Sequence, residues 1–148
     1  QTYTMDGYKW NTNLRSKTAA YHSSVGCPFT CSFCAVVPIY NARWKGKSAE
    51  AIFRDVKLLK EEYGADAIEF HDNNFYVSEK RTVAFSKLIK PENMIWWGEA
   101  RIDTMNKYSD ESLATIREAG CKMIFFGWSE WIRVELRPES KLKILPGV

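Results

Sequence analysis

No apolar run in these 148 residues approaches the roughly eighteen that a helix needs to cross a membrane. The start, Gln1 to Trp10, lacks the basic-then-apolar layout of a secretory signal. No linker or low-complexity segment divides the chain, and its length suits one domain. Charge of a single sign is missing too. The 21 Lys and Arg residues are scattered among 18 Asp and Glu, for a net charge of +3, so there is no clear nucleic-acid signal. Cysteine is scarce: four residues, where small secreted disulfide scaffolds are far richer. A reducing, cytoplasmic setting explains that usage better than disulfides do. The first residue is Gln1, not methionine, which leads us to expect an excerpt from a longer protein. What remains, 45% hydrophobic and 26% charged, is the composition of a folded soluble domain and argues against disorder.

What the chain does have is a crowd of three cysteines in the run Cys27-Pro28-Phe29-Thr30-Cys31-Ser32-Phe33-Cys34. Soft thiolates on one loop suit zinc or an iron–sulfur cluster. No fourth cysteine lies nearby, and structural zinc usually takes four closed ligands. Three thiolates on a four-iron cluster would leave one iron open, as a site that transforms a substrate requires.

Around that loop, short apolar runs alternate with amphipathic stretches. Strands are predicted at Ala20 to Gly26, Ala67 to His71, Ile95 to Ala100 and Lys122 to Gly127. A first helix starts at Ser48 as N-cap, buries Ile52, Val56, Leu59 and Tyr63 on one face, and ends at Gly64. A second runs from Ser78 to about Ile89, before Pro91; a third starts at Ser109 or Asp110 and is closed by Gly120. The segment from Trp131 onward is less legible, because Pro138 and Pro146 would break a long helix there.

Strand–helix alternation implies an α/β fold with a parallel sheet. In such sheets the functional residues lie on loops leaving the C-terminal strand ends. Four polar clusters fall at those positions: the cysteine loop, Asp72-Asn73-Asn74, Arg101 with Asp103, and Ser129-Glu130.

The loop Cys27-x-x-x-Cys31-x-x-Cys34, with Phe33 before the last cysteine, resembles the signature of the radical S-adenosylmethionine superfamily. Ser24-Val25-Gly26-Cys27-Pro28, Asp72-Asn73-Asn74-Phe75 and Ala119-Gly120-Cys121 are similar to segments of members with an N-terminal cobalamin-binding domain. The resemblance covers roughly Tyr21 to Glu130. It implies a partial (β/α) barrel, about four of six strand–helix units, over residues 20–148, with residues 1–19 as a lead-in segment.

It further implies that Cys27, Cys31 and Cys34 bind a 4Fe–4S cluster whose fourth iron takes the amino and carboxylate groups of S-adenosylmethionine. Reductive cleavage of that cofactor to a 5′-deoxyadenosyl radical would follow, with an electron donor such as flavodoxin or ferredoxin. Cobalamin, where used, would be held by a domain outside this chain, for methyl transfer or rearrangement of an unknown small molecule. Asp72, Asn73 and Asn74 would meet the amino group of S-adenosylmethionine, Glu99 its ribose and Arg101 its carboxylate. Ser129 and Glu130 stand where relatives carry the acid and hydroxyl in the opposite order. A four-strand excerpt would leave an open sheet edge and is expected to be inactive alone.

Plainer readings stand beside these. An iron–sulfur electron-transfer module would normally supply four cysteines; a zinc-stabilised binding module is the other alternative. Asp72-Asn73-Asn74 also suits a turn, and Glu99 could pair with Arg101. Cys121 reads as a small buried hydrophobe. Trp96 and Trp97, adjacent on a strand, must face opposite sides. Tyr40, Arg43, Trp44 and Lys45 fall on what reads as a long loop, shielding a cluster or simply facing solvent. His22 reads as a core or surface residue sooner than as part of a pocket wall, and His71 could face either way.

Overall fold

The computed structural model describes residues 17–126 and, beyond them, the backbone of two strands. In chain order the elements are β1 (Thr18–Tyr21), β2 (Ser24–Gly26), α1 (Val36–Tyr40), β3 (Trp44–Gly46), α2 (Ala49–Tyr63), β4 (Ala67–Phe70), α3 (Glu79–Ile89), β5 (Ile95–Ala100), α4 (Ile102–Met105), α5 (Asp110–Glu118), β6 (Cys121–Phe126), β7 (Ile132–Leu136) and β8 (Leu142–Leu145). Among the described residues no helix is long and apolar enough to cross a membrane.

Three serines set where the longer helices begin. Ser48, Ser78 and Ser109 each accept the backbone N–H three residues on, from Ala51, Arg81 and Ser112 at 3.2, 3.3 and 3.2 Å, satisfying a donor that the first turn leaves unpaired. Gly64 closes α2 in the left-handed conformation. Ile52 and Val56 of α2 are buried as the spacing predicts, but Tyr63 is 52% exposed. The reason is length. A fifteen-residue helix spans ~22 Å, and a four-residue strand such as β4 only ~13 Å, so the last turn of α2 overhangs the sheet.

The main sheet has the order β1-β4-β5-β6-β7-β8. Its first four strands are parallel, joined through α2, α3 and α5. β7 and β8 then add on antiparallel. The α/β class and the parallel four-strand array agree with the sequence reading. The array is a sheet with β1 and β8 at its ends, and β7 covers the β6 side that four strands alone would have left open.

The first strand departs from expectation. Instead of one run, β1 stops at Tyr21, and β2 leaves the sheet to pair antiparallel with β3. Ser23 is the turning point, since its N–H goes to the Asp72 carboxylate at 3.2 Å and not to a strand neighbour. The stretch after the cysteines is likewise ordered: α1 and β3 occupy what reads as loop, and they place Tyr40, Trp44 and Lys45 within elements.

The core lies between the sheet and its helices. Phe70, Phe75, Phe85 and Trp96 are all buried, with ring centroids 4.2 Å apart for Phe70–Phe75 and 5.5 Å for Phe85–Trp96. Each such side chain contributes ~2–3 kcal/mol by burial. Gly120, at φ +95°, ends α5 where a Cβ would lie 2.1 Å from the Met94 carbonyl oxygen. Only glycine lets β6 enter that close to β5.

Candidate functional site

The cysteine loop is pinned at both ends. β2 leads into it and β3 follows α1 out of it, paired Ser24↔Gly46, Val25↔Lys45 and Gly26↔Trp44. Gly26, immediately before Cys27, has φ +78°, and a Cβ there would fall 2.2 Å from the Arg43 carbonyl oxygen. The turn into the first cysteine therefore demands glycine. Inside the loop, the Cys34 amide donates to the Cys31 carbonyl at 3.1 Å and the Val37 amide to the Cys34 carbonyl at 3.2 Å.

Cys27, Cys31 and Cys34 are all free thiols and all partly exposed. Burial pushes the Cys27 thiol up from its ordinary value, partly opposed by the Phe29 amide and the Arg101 charge. As a donor set, three accessible soft thiols fit an iron–sulfur cluster. Their arrangement is not drawn together around a point: among the described residues no three His, Cys, Asp or Glu side chains are grouped to hold a metal ion. Cys121 is elsewhere, buried in the helix-side core with its sulfur 3.3 Å from the Tyr76 hydroxyl. Burial pushes its thiol up to about 12.

Arg101, just after β5, joins the sheet to the loop. Its guanidinium donates to Cys31 Sγ, lies over the Phe29 ring at 4.2 Å, and grips both Asp103 carboxylate oxygens at 2.9 and 2.8 Å. That fork draws the Asp103 carboxyl below its usual range. Arg101 thus pairs with Asp103 and not with Glu99.

Asp72 is almost fully buried and accepts from Ser23 N–H, Ser23 Oγ and Ser24 Oγ. Arg81 completes the knot: it donates to Ser23 Oγ and, at 3.0 Å, to the carbonyls of Lys47 and Phe75. Asn74 is buried too; its Oδ1 accepts the Tyr76 amide at 3.1 Å, while its Nδ2 has no hydrogen-bond partner. Asn73 is exposed. Asp72 and Asn74 thus hold the strand end and the following turn, and Asp72 also ties down the entrance to the cysteine loop. Ser129 and Glu130 lie outside the described residues.

The face of the sheet away from the helices carries Glu99, which the sequence reading selected, beside Glu69, which it did not, and His71, whose side it left open. Ile68, Phe70 and Trp96 point into the helix-side core, so alternation turns Glu69, His71, Trp97 and Glu99 to the other face. The Glu69 carboxylate is buried, with Oε2 3.2 Å from His71 Nε2 and Oε1 without a partner. The His71 ring lies 6.0 Å from His22 and 5.9 Å from Trp97. Burial raises the Glu99 carboxyl above its ordinary value, against the opposing influence of His71 and His22. The signal was present in Ala67-Ile68-Glu69-Phe70, where a charged residue alternates with apolar ones in a strand.

No family model matches the chain. It is similar to an uncharacterized methyltransferase of Pyrococcus horikoshii, 35% identical over 107 residues, covering 71% of this chain and 23% of that protein. An uncharacterized methyltransferase of Synechocystis is 32% identical over 76 residues, 51% of this chain and 13% of the relative. The cytidylyl-2-hydroxyethylphosphonate methyltransferase of Streptomyces wedmorensis is 20% identical over 124 residues, 84% of this chain and 23% of that enzyme. The chain thus spans about a quarter or less of the curated relatives it matches.

Proposed function

We propose that this chain is the cluster-binding part of a radical S-adenosylmethionine enzyme of the methyltransferase kind, its parallel strands forming a segment of a partial (β/α) barrel. The observation that carries the reading is the cysteine loop: three free thiols at the head of a parallel strand–helix array, fixed by Gly26 at the entrance and by Arg101 at Cys31. The relatives named methyltransferases support the reaction class.

In this reading Cys27, Cys31 and Cys34 would hold a 4Fe–4S cluster, with S-adenosylmethionine at the remaining iron. When bound, the pair supplies a strongly reactive radical to a substrate, using an electron from a carrier such as flavodoxin or ferredoxin. Cobalamin, if the enzyme uses it, belongs to a domain outside this chain. The work of the chain's own residues is positional. Arg101 and Phe29 keep the middle of the loop against the end of β5. Asp72, through Ser23 and Ser24, fixes the start of β2. Asn73, Glu99 and, by their place in the sequence, Ser129 and Glu130 would be the remaining polar groups offered to S-adenosylmethionine.

Anaerobic reconstitution with iron and sulfide tests the reading. Brown protein with iron and sulfide in equal amounts, whose reduced spectrum changes on adding S-adenosylmethionine, is the expected result. Replacing all three cysteines by alanine should abolish the colour. A cluster indifferent to S-adenosylmethionine would favour an electron carrier, and tightly bound zinc without iron would favour a binding module; either outcome overturns the proposal.

A further inference from the structure

The register of the sheet places the chain's two histidines in one row. Tyr21 pairs with Phe70 and Phe70 with Gly98, so the next step along the strands sets His22 beside His71 and His71 beside Glu99. The His71 amide bonded to the Tyr21 carbonyl at 3.0 Å continues that ladder. One level below, Glu69 pairs with Trp97, and Phe125 stands opposite Glu99.

Two carboxylates and two imidazoles meet on this face. After burial, the groups that act on Glu99 are His71, Asp72 and His22, the two imidazoles opposing the rise that burial and Asp72 cause. Arg101, the next residue on the same side of β5, is turned to Asp103 and Cys31. Glu69 sits behind His71 with one carboxylate oxygen unpartnered in the interior. Such a carboxylate keeps an acceptor whose bonding capacity is unmet. The rings of Trp97 and Phe125 lie 6.0 Å apart and flank the row, and aromatic faces also attract cations.

We propose that the row His22–His71–Glu99, backed by Glu69 and flanked by Trp97 and Phe125, is a binding wall for a planar nitrogen cation, such as an amidinium or a ring-borne ammonium. Glu99 accepts its N–H groups, Glu69 acts through His71, and the aromatic rings contact its plane. The wall shares Glu99 with the S-adenosylmethionine reading above, but it is formed by the metal-free chain and is tested with neither cluster nor cofactor present.

The test uses benzamidine and its anionic counterpart of similar shape, benzoate. The chain has two histidines, so a His22→Gln variant assigns both imidazole signals in a proton NMR spectrum. Benzamidine is expected to shift both signals saturably, with benzoate inert at the same concentration. Glu99→Gln and Glu69→Gln should each weaken benzamidine about tenfold. Glu99 is partly exposed, so its variant keeps the test decisive should Glu69→Gln fail to fold. Equal shifts by benzoate, no shift by either probe, or undiminished benzamidine binding in Glu99→Gln would overturn the assignment. Failure to take up iron would overturn the cluster reading and leave this result untouched.

Discussion

Arg101 donates a hydrogen bond to the sulfur of Cys31, seventy residues earlier in the chain. That contact, with the Phe29 ring under the same guanidinium, fastens the middle of the cysteine loop to the end of β5. Both Arg101 and Asp103 are partly exposed, so their ion pair adds little to global stability. Arg101→Ala is therefore expected to cost about 1 kcal/mol or less in urea unfolding. Amide hydrogen exchange should nonetheless rise sharply across the Phe29 to Cys34 segment. Unchanged exchange there would show that the loop is held by other means.

Asp72 predicts the opposite balance. Its carboxylate takes three hydrogen bonds from Ser23 and Ser24 in the interior. Asp72→Ala would leave those donors and the Arg81 charge beside them uncompensated, at a cost of about 3 kcal/mol. Asp72→Asn, which keeps one acceptor oxygen, should lose less. Denaturation curves in urea give the comparison directly.

Three left-handed glycines should respond unequally to alanine. At Gly64 an added Cβ meets only the Lys17 side chain, 3.4 Å away at its nearest, so the cost is that of the backbone conformation, about 1 kcal/mol. At Gly26 and Gly120 it would also strike a carbonyl oxygen at 2.2 and 2.1 Å, raising the loss to on the order of 2–3 kcal/mol. Thermal melts of the three variants test this ranking, and equal losses would contradict it.

High pH should unfold the protein through its buried weak acids. Burial, then the Asp55 hydrogen bond, pushes Tyr21 up to about 12; burial does the same for Tyr108 and Cys121, also to about 12, and holds Tyr76 well above its ordinary value. A raised folded value means the native state keeps protons that the unfolded chain releases. The stabilisation is therefore complete below the unfolded values, ~9 for the thiol and ~10 for the phenols, and is lost as pH climbs through about 12. Tyrosinate absorbance should rise in two phases, exposed rings first, with Tyr21, Tyr76 and Tyr108 appearing in step with loss of helical circular dichroism. A single early phase while the helices persist would refute this.

Much of the architecture was legible locally. Ser48, Ser78 and Ser109 announce helix starts because capping is a contact over three residues. The apolar runs at Ala67, Ile95 and Lys122 announce strands because burial follows a period of two. Trp96 and Trp97 were bound to face opposite sides for the same reason, and only Trp96 packs among the helices. Tyr63 was misread because helical periodicity does not say where the sheet beneath ends.

The sequence by itself determined that three thiols would share one short loop at the head of a strand–helix array, since spacing and order are covalent facts. Only the tertiary structure decided what meets that loop. Register across β1, β4 and β5 aligned His22, His71 and Glu99. The pull of Asp72 on Ser23 split the first strand in two. Arg101 chose Cys31, Phe29 and Asp103 over Glu99. Each of these contacts except the Asp103 pairing joins residues far apart in the chain. Local propensity cannot specify them, because they depend on how strands align when the hydrophobic face of the sheet is buried.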